Sequence, residues 1–256
     1  MIPDTDMNLI EHCIIPDWPA PLNVRALQTT RSGGGSSAPY KSLNLGMHVG
    51  DVPLMVARNR MLLNLLLPSE PVWLEQVHGK AVVQADAANC RAEADACVAK
   101  RPAAVCAVMT ADCLPILFCD VQGTVVAAAH AGWKGLAAGV IETTVASMRV
   151  PGVQIMAWLG PAISQAAFEV GVVVRELFVT GDAASAAAFL PHPDNEEKYY
   201  ADLYALASLR LQALGVTQIY GGDRCTYRES ESFFSYRRDG VTGRMATFIW
   251  LEEKPI

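Results

Sequence analysis

Three side chains able to bind a soft metal ion, His78, Cys113 and His130, each fall at the end of a strand-like run and close to a glycine or proline, in VHGK, DCLP and HAGW. Positions of that kind stand at the rim of a sheet, where groups distant in sequence can converge. One thiolate with two imidazoles suits zinc or copper, and three protein ligands leave a coordination position open for water or substrate, which is the arrangement of catalytic sites. The spacing is long and matches no short zinc motif, so two other readings stand beside this one. The residues could be a buried thiol with two hydrogen-bonded histidines. Alternatively, Cys113 could be a nucleophile with His78 or His130 as its base and Asp112 beside them. His12, His48 and His192 lack a comparable setting and read as surface or loop residues, with His48 in LNLGMHVGD the one most open to another role.

Anion-binding chemistry is available nearby in the sequence. Lys134 follows His130 in HAGWKG, at a turn opening a helix, where backbone N–H groups favour an anion. FFSYRRDGVTGR adds Arg237, Arg238 and Arg244 with aromatic residues interleaved. These cations could hold phosphate together, or the arginines could be a solvated hairpin paired to Asp239 or Glu231.

The elements that must position these groups follow from periodicity. Apolar residues recur at helical spacing from Val52 to Leu66, ending before Pro68, and again from Ala201 to Leu214. PVWLEQVHGKAVVQA reads as two strand-like segments around a bend at His78–Gly79, and AAVCAVMTADCLPILFCD as two strands broken near Cys113. TVVAAAHAGWKGLAAGVIETTVASM reads as a strand ending at His130, a turn, and a helix starting near Gly135. QIMAWL, TQIY and ATFIWL read as further strands, while TTRSGGGSSAPYKSLNLG is an irregular loop without the order of a P-loop. No repeat or linker stands out, so an α/β or α+β fold with mixed sheets, in one domain over 1–256, is expected.

The chain has 256 residues, 52% of them hydrophobic, enough to bury a sizeable core. Charged residues make up 18% and the formal net charge is -6, so no basic footprint for nucleic acid is expected. The acidic N-terminal stretch and the absence of a long apolar run argue against a secretory signal or a membrane span and for a cytoplasmic protein. Seven cysteines, none in a C-x-x-C pair, speak against a disulfide framework. Cys13, Cys90, Cys97, Cys106 and Cys119 sit among small or apolar neighbours and read as core filler.

Taken as an ordered series, TRSGG, SLNLG, WLEQVHG, ADA at Asp95, MTADCLP, AAAHAGWKG, WLGPAI, GDRCTY and FFSYRRDGVTGRMA closely resemble the YfiH family of laccase-domain proteins, also called polyphenol oxidases and purine nucleoside phosphorylases. The resemblance covers nearly the whole chain. It implies an αββα-like layered sandwich similar to cysteine-hydrolase-like toxin domains, and a metal site at His78, Cys113 and His130. It also implies phosphorolysis of adenosine, inosine and methylthioadenosine to base and sugar phosphate, and deamination of adenosine, so that the partners would be a nucleoside and phosphate. Asp112 would then handle a proton or support a ligand. Lys134, Arg237, Arg238 and Arg244 would steer phosphate, and Asn44, Arg60 and Gln76 would line the pocket. Where many family members carry arginine this chain has Lys134, which keeps the charge and loses the bidentate fork. Oligomeric state is not legible.

Zinc is the expected ion, with copper as the alternative. A multi-copper centre needs many histidines, often in H-x-H pairs, and this chain has five with no such pair. A mononuclear copper polyphenol oxidase, a Cys113–His hydrolase and a non-catalytic structural zinc protein are the competing readings; the last lacks a fourth protein ligand.

Overall fold

The structure is a computed structural model and describes residues 9–87 and 92–253. Cys90 lies outside the described residues. The strands in chain order are β1 (Cys13–Ile14), β2 (Val24–Thr29), β3 (Val82–Gln84), β4 (Ala96–Ala99), β5 (Cys106–Thr110), β6 (Leu114–Asp120) and β7 (Val126–Ala131). They continue with β8 (Ile155–Leu159), β9 (Glu169–Gly171), β10 (Phe189–His192), β11 (Asn195–Ala201), β12 (Gln218–Gly221) and β13 (Met245–Leu251). Helices α1 (Pro53–Leu63), α2 (Trp133–Ala138), α3 (Val140–Met148), α4 (Val172–Gly181), α5 (Leu203–Ala213) and α6 (Tyr236–Asp239) connect and cover them.

A mixed sheet in the order β12-β8-β6-β7-β4-β3 packs face to face against a sheet in the order β1-β2-β13-β5. Alternation along each strand builds the layers. On β4, β6 and β7, Ala96, Val98, Leu114, Ile116, Phe118, Ala127 and Ala129 join a core with Leu136, Val140, Ile141, Leu206 and Leu211 of the helices. The intervening Cys97, Leu117, Cys119 and Ala128 meet Cys106, Val108, Ile249 and Leu251 of the other sheet. The outer face of that second sheet, with Leu27, Ala107, Met109 and Phe248, is covered by Leu63 and Leu67 at and beyond the end of α1. The result is an α-β-β-α stack, as the family resemblance implied, within the mixed-sheet α/β fold expected from the residue pattern. Strands covered on both faces carry near-continuous apolar runs, which is why β5, β6, β7, β8 and β13 are buried throughout. Cys97, Cys106 and Cys119 are core filler, with burial pushing the Cys119 thiol up to about 12.

Several boundaries differ from the sequence reading for local reasons. Helix α1 ends at Leu63, well short of Leu66. Helix α2 begins at Trp133, earlier than Gly135, and a left-handed Gly139 separates it from α3. Helix α5 starts at Leu203 because Asp202 caps it, its side chain accepting from the Ala205 N–H, while Ala201 belongs to β11. The segment before His78 is not a regular strand: Val72 and Glu75 make only isolated bridges, to Cys106 and Glu93. The glycine- and serine-rich loop is organised by Asn59 of α1. Its buried amide donates to Ser36 Oγ, Ser42 O and Asn44 O and accepts the Gly35 N–H.

Candidate metal centre

Each of the three soft ligands is presented by a break in regular structure. His78 has φ of 60°, in the left-handed region, on the irregular segment before β3. Cys113 follows Asp112, whose φ of 91° turns the chain between β5 and β6. His130 is buried near the end of β7. Their ligand atoms all lie within 4.8 Å of one another, with Cys113 Sγ 3.8 Å from His78 Nε2. The two imidazole rings meet edge to face, their centroids 4.7 Å apart.

Asp95, fully buried in the bend just before β4, joins two of these ligands. Its Oδ1 lies 2.8 Å from His130 Nδ1 and accepts the His78 N–H at 2.9 Å, while Oδ2 accepts the N–H groups of Gly79 and Val77 at 2.6 and 3.2 Å. Although burial opposes ionisation, these hydrogen bonds hold the Asp95 carboxyl below its ordinary range. An ionised carboxylate only accepts, so Nδ1 of His130 keeps a proton toward Asp95, and Nε2 is the nitrogen that would give up its proton to take a metal ion.

Close packing keeps the donors together. A Cβ on Gly132 would stand 2.8 Å from Cys113 Sγ and 3.1 Å from His78 Cδ2, so the helix-leading residue must lack a side chain. Burial would raise the Cys113 thiol, but the charge of His130 and hydrogen bonds with His130 and His78 bring it down to about 6. Burial would lower His130, but Cys113 and Asp95 push it up to about 9. A thiolate among imidazoles, with one imidazole fixed by a carboxylate, fits a soft divalent cation.

These ligands form one side of a cavity of about 340 Å³, completed by His48, Thr110, Tyr236 and Arg244 among others. The buried Thr110 hydroxyl has no hydrogen-bond partner among the described residues. Arg244 is fixed through its backbone, its N–H donating to Asn44 Oδ1 at 2.9 Å, while its guanidinium donates to Thr242 O and Gly243 O. A second cavity of about 520 Å³ adjoins the first, with His48, Gln76 and Met109 lining both.

The other residues singled out in the sequence are placed as follows. Gln76 is engaged by the Met109 backbone, donating to its O and accepting from its N. Arg60 donates to Leu45 O and lies over the Trp73 ring at 3.8 Å, lining the second cavity. Asn44 is fully buried and bonded to Gly46, Asp51 and Arg244. Asp112 accepts the Thr226 hydroxyl on Oδ1 at 2.6 Å and the Arg237 N–H on Oδ2 at 2.7 Å, so its carboxylate anchors the C-terminal loop. Arg237 donates to Glu169 O, and Arg238 to Asp239, Thr226 O, Tyr227 O and Phe233 O. Lys134 is exposed, with Nζ 5.6 Å from the Trp133 ring. Of the four basic residues, Arg244 lines the metal cavity and Lys134, Arg237 and Arg238 do not.

Two residues of the site were not read as functional from sequence. Asp95 interrupts an otherwise small and apolar run, EADACVA, where a carboxylate must find partners when buried, and that is a usable signal. His48 sits in a short loop without periodicity, and nothing in its spacing announces the cavity.

Residues 25–252 match the family model described as multi-copper polyphenol oxidoreductase laccase. The purine nucleoside phosphorylase YfiH of Escherichia coli strain K12 is 58% identical over 241 residues, covering 93% of this chain and 98% of that protein. A purine nucleoside phosphorylase of Pseudomonas aeruginosa is 53% identical, covering 94% and 98%. A solved Neisseria meningitidis structure superposes with a TM-score of 0.90 at 53% identity, covering 94% of this chain and all of that one, and YlmD from Geobacillus stearothermophilus with 0.82 at 32%, covering 92% and 94%. With the stacked sheets and the His-Cys-His cluster, these matches show that the chain belongs to the YfiH family of laccase-like domain proteins.

Proposed function

We propose that this protein is a zinc-dependent purine nucleoside phosphorylase whose substrates are a purine nucleoside and inorganic phosphate. The observation that carries the reading is one cavity with the three soft ligands on one side and Arg244 lining the same space. Its volume of about 340 Å³, extended by the adjoining space, is in the range used by small-molecule sites. The names of the E. coli and P. aeruginosa relatives supply the substrate class.

His78, Cys113 and His130 would hold the ion, which supplies Lewis-acid polarisation of a substrate oxygen or nitrogen when bound. Asp95 fixes the His130 tautomer. The Arg244 guanidinium offsets phosphate charge. In the reaction a phosphate oxygen forms a bond to the anomeric carbon while the bond to the purine nitrogen breaks. Adenosine, inosine and methylthioadenosine are the substrates to try, and adenosine deamination belongs to the same proposal.

Copper is the alternative ion, because the same donors bind it strongly. Among the described residues a single His-Cys-His group is the candidate, which does not favour a multi-copper centre despite the family's name. No helix among the described residues is long and apolar enough to cross a membrane, and a cytoplasmic location is part of the proposal.

Incubating the purified protein with adenosine and phosphate, and separating adenine, inosine and ribose 1-phosphate by chromatography, tests this reading. Phosphate-dependent adenine release, abolished by chelation and by Cys113→Ala, is expected. Turnover unaffected by both treatments would overturn the metal assignment, and absence of phosphate-dependent release from each nucleoside would overturn the phosphorylase reading.

A further inference from the structure

The wall between the two cavities is shared by His48, Gln76 and Met109. Gln76 and Met109 are bonded to each other and have no proton to exchange at neutral pH. His48 does, and its ring makes no hydrogen bond among the described residues.

The loop bearing His48 is built to hold it there. Asn44 donates to Asp51 Oδ2 at 2.9 Å, across the span that contains His48, and the same oxygen accepts the Ser36 hydroxyl at 2.6 Å. The Tyr40 hydroxyl donates to Val49 O at 2.8 Å. Leu45 N–H donates to Arg244 O, and Gly46 packs so closely on Arg244 that a Cβ there would lie 2.8 Å from its Cγ. His48 and the proposed phosphate-binding arginine are therefore fixed relative to each other. His48 is exposed at the cavity wall; partial desolvation there, then the charges of Arg244 and Arg60, hold the imidazole below its ordinary pKa, so at neutral pH it is an uncharged ring able to take up a proton.

We propose that His48 is a catalytic residue that carries a proton from phosphate to the departing purine, a role that rests on the phosphorylase reading. Hydrogen phosphate brings one proton that the ribose 1-phosphate dianion does not keep. The purine leaves with the electron pair of the broken bond and needs one proton. His48 accepts the first at one ring nitrogen and gives the other nitrogen's proton to the purine, ending neutral, with no oxidant or further co-reactant. The other imidazoles of the cavity are not available for this transfer. His78 and His130 are proposed metal ligands, and His130 already donates to Asp95.

The test compares the zinc-loaded wild type with His48→Ala and His48→Gln, reading phosphate-dependent purine release, metal content and KM for each substrate. A fall in kcat on the order of 10²- to 10⁴-fold is expected, with metal content and nucleoside KM little changed. Added imidazole should restore part of the kcat of His48→Ala in a saturable way, which a structural role would not produce. Unchanged kcat in a metal-loaded variant, or a loss that imidazole leaves untouched in a folded His48→Ala protein, would overturn the proposal. A wild-type enzyme that itself releases no purine with phosphate would instead overturn the phosphorylase reading on which it rests.

Discussion

The carboxylate of Asp95 binds His130 through its ring, 2.8 Å from Nδ1, and binds the chain at His78 through the backbone N–H groups of residues 77 to 79. One buried side chain therefore sets the orientation of one candidate ligand and the strained backbone of another. Replacing it tests both effects. In Asp95→Asn the amide retains an acceptor but loses the negative charge, and zinc affinity should fall about 10- to 100-fold. Competitive titration with a chromophoric chelator reads this directly. An affinity equal to wild type would show that Asp95 is only a backbone anchor.

Gly132 gives a second prediction, independent of charge. In Gly132→Ala the added methyl would meet Cys113 Sγ at 2.8 Å, so the thiol or the backbone has to shift. Metal content should drop sharply while far-UV circular dichroism stays close to wild type, because the change precedes α2 without entering the sheet core. Full metal loading in a folded Gly132→Ala protein would argue that Cys113 is not a ligand.

Arg244 separates substrate binding from metal binding. Arg244→Gln should raise KM for phosphate by roughly 10- to 100-fold, the loss expected for a charge-assisted hydrogen bond of about 1.5–3 kcal/mol, and leave metal content intact. Steady-state kinetics with phosphate varied at saturating nucleoside measures it. The corresponding change at Lys134, which is exposed and does not line the metal cavity, should be within a few-fold of wild type.

The loop that Asp112 anchors through Thr226 has its own acid sensitivity. Glu229 accepts from Arg224 at 2.7 Å and from the Cys225 N–H at 2.7 Å, and although burial opposes it these bonds hold its carboxyl below the ordinary range. A carboxyl depressed in the folded state contributes stability that is present above its unfolded pKa and is lost as pH falls through the folded value. Glu229→Gln should lower Tm near neutral pH and converge on wild type in acid. Thermal melts over pH 3 to 7, about the range of carboxylate titration, check this; parallel curves would contradict it.

How much of this was legible in the sequence depended on whether a residue's role is local. The near-continuous apolar runs in CAVMT, LPILFCD and VAAAHA announce buried strands, because each face must be apolar wherever two layers cover a sheet. Cys113 and His130 were visible as reactive groups at the ends of such runs. The short sheet β9, β10 and β11 was not visible, since NEEKYYA is mostly polar and partly exposed and its pairing with FLPH is set by tertiary contacts. Charge alone could not sort the cations: Arg238 is committed to carbonyls and Asp239, whereas Arg244 reaches the cavity because β13 begins beside it. Asp112, adjacent in sequence to Cys113, looked like its partner. The chain reverses at that residue and turns the carboxylate toward Thr226 and Arg237, while the carboxylate that supports the ligands comes from Asp95, in the bend just before β4.

The most direct measurement is X-ray absorption at the zinc edge of the protein loaded with one equivalent of the ion. The expected spectrum has one sulfur at about 2.3 Å and two imidazole nitrogens at about 2.0–2.1 Å, with the sulfur contribution lost in Cys113→Ala. A first shell without sulfur in the wild type, or one unchanged by the substitution, would contradict the assignment of His78, Cys113 and His130 as a single metal centre.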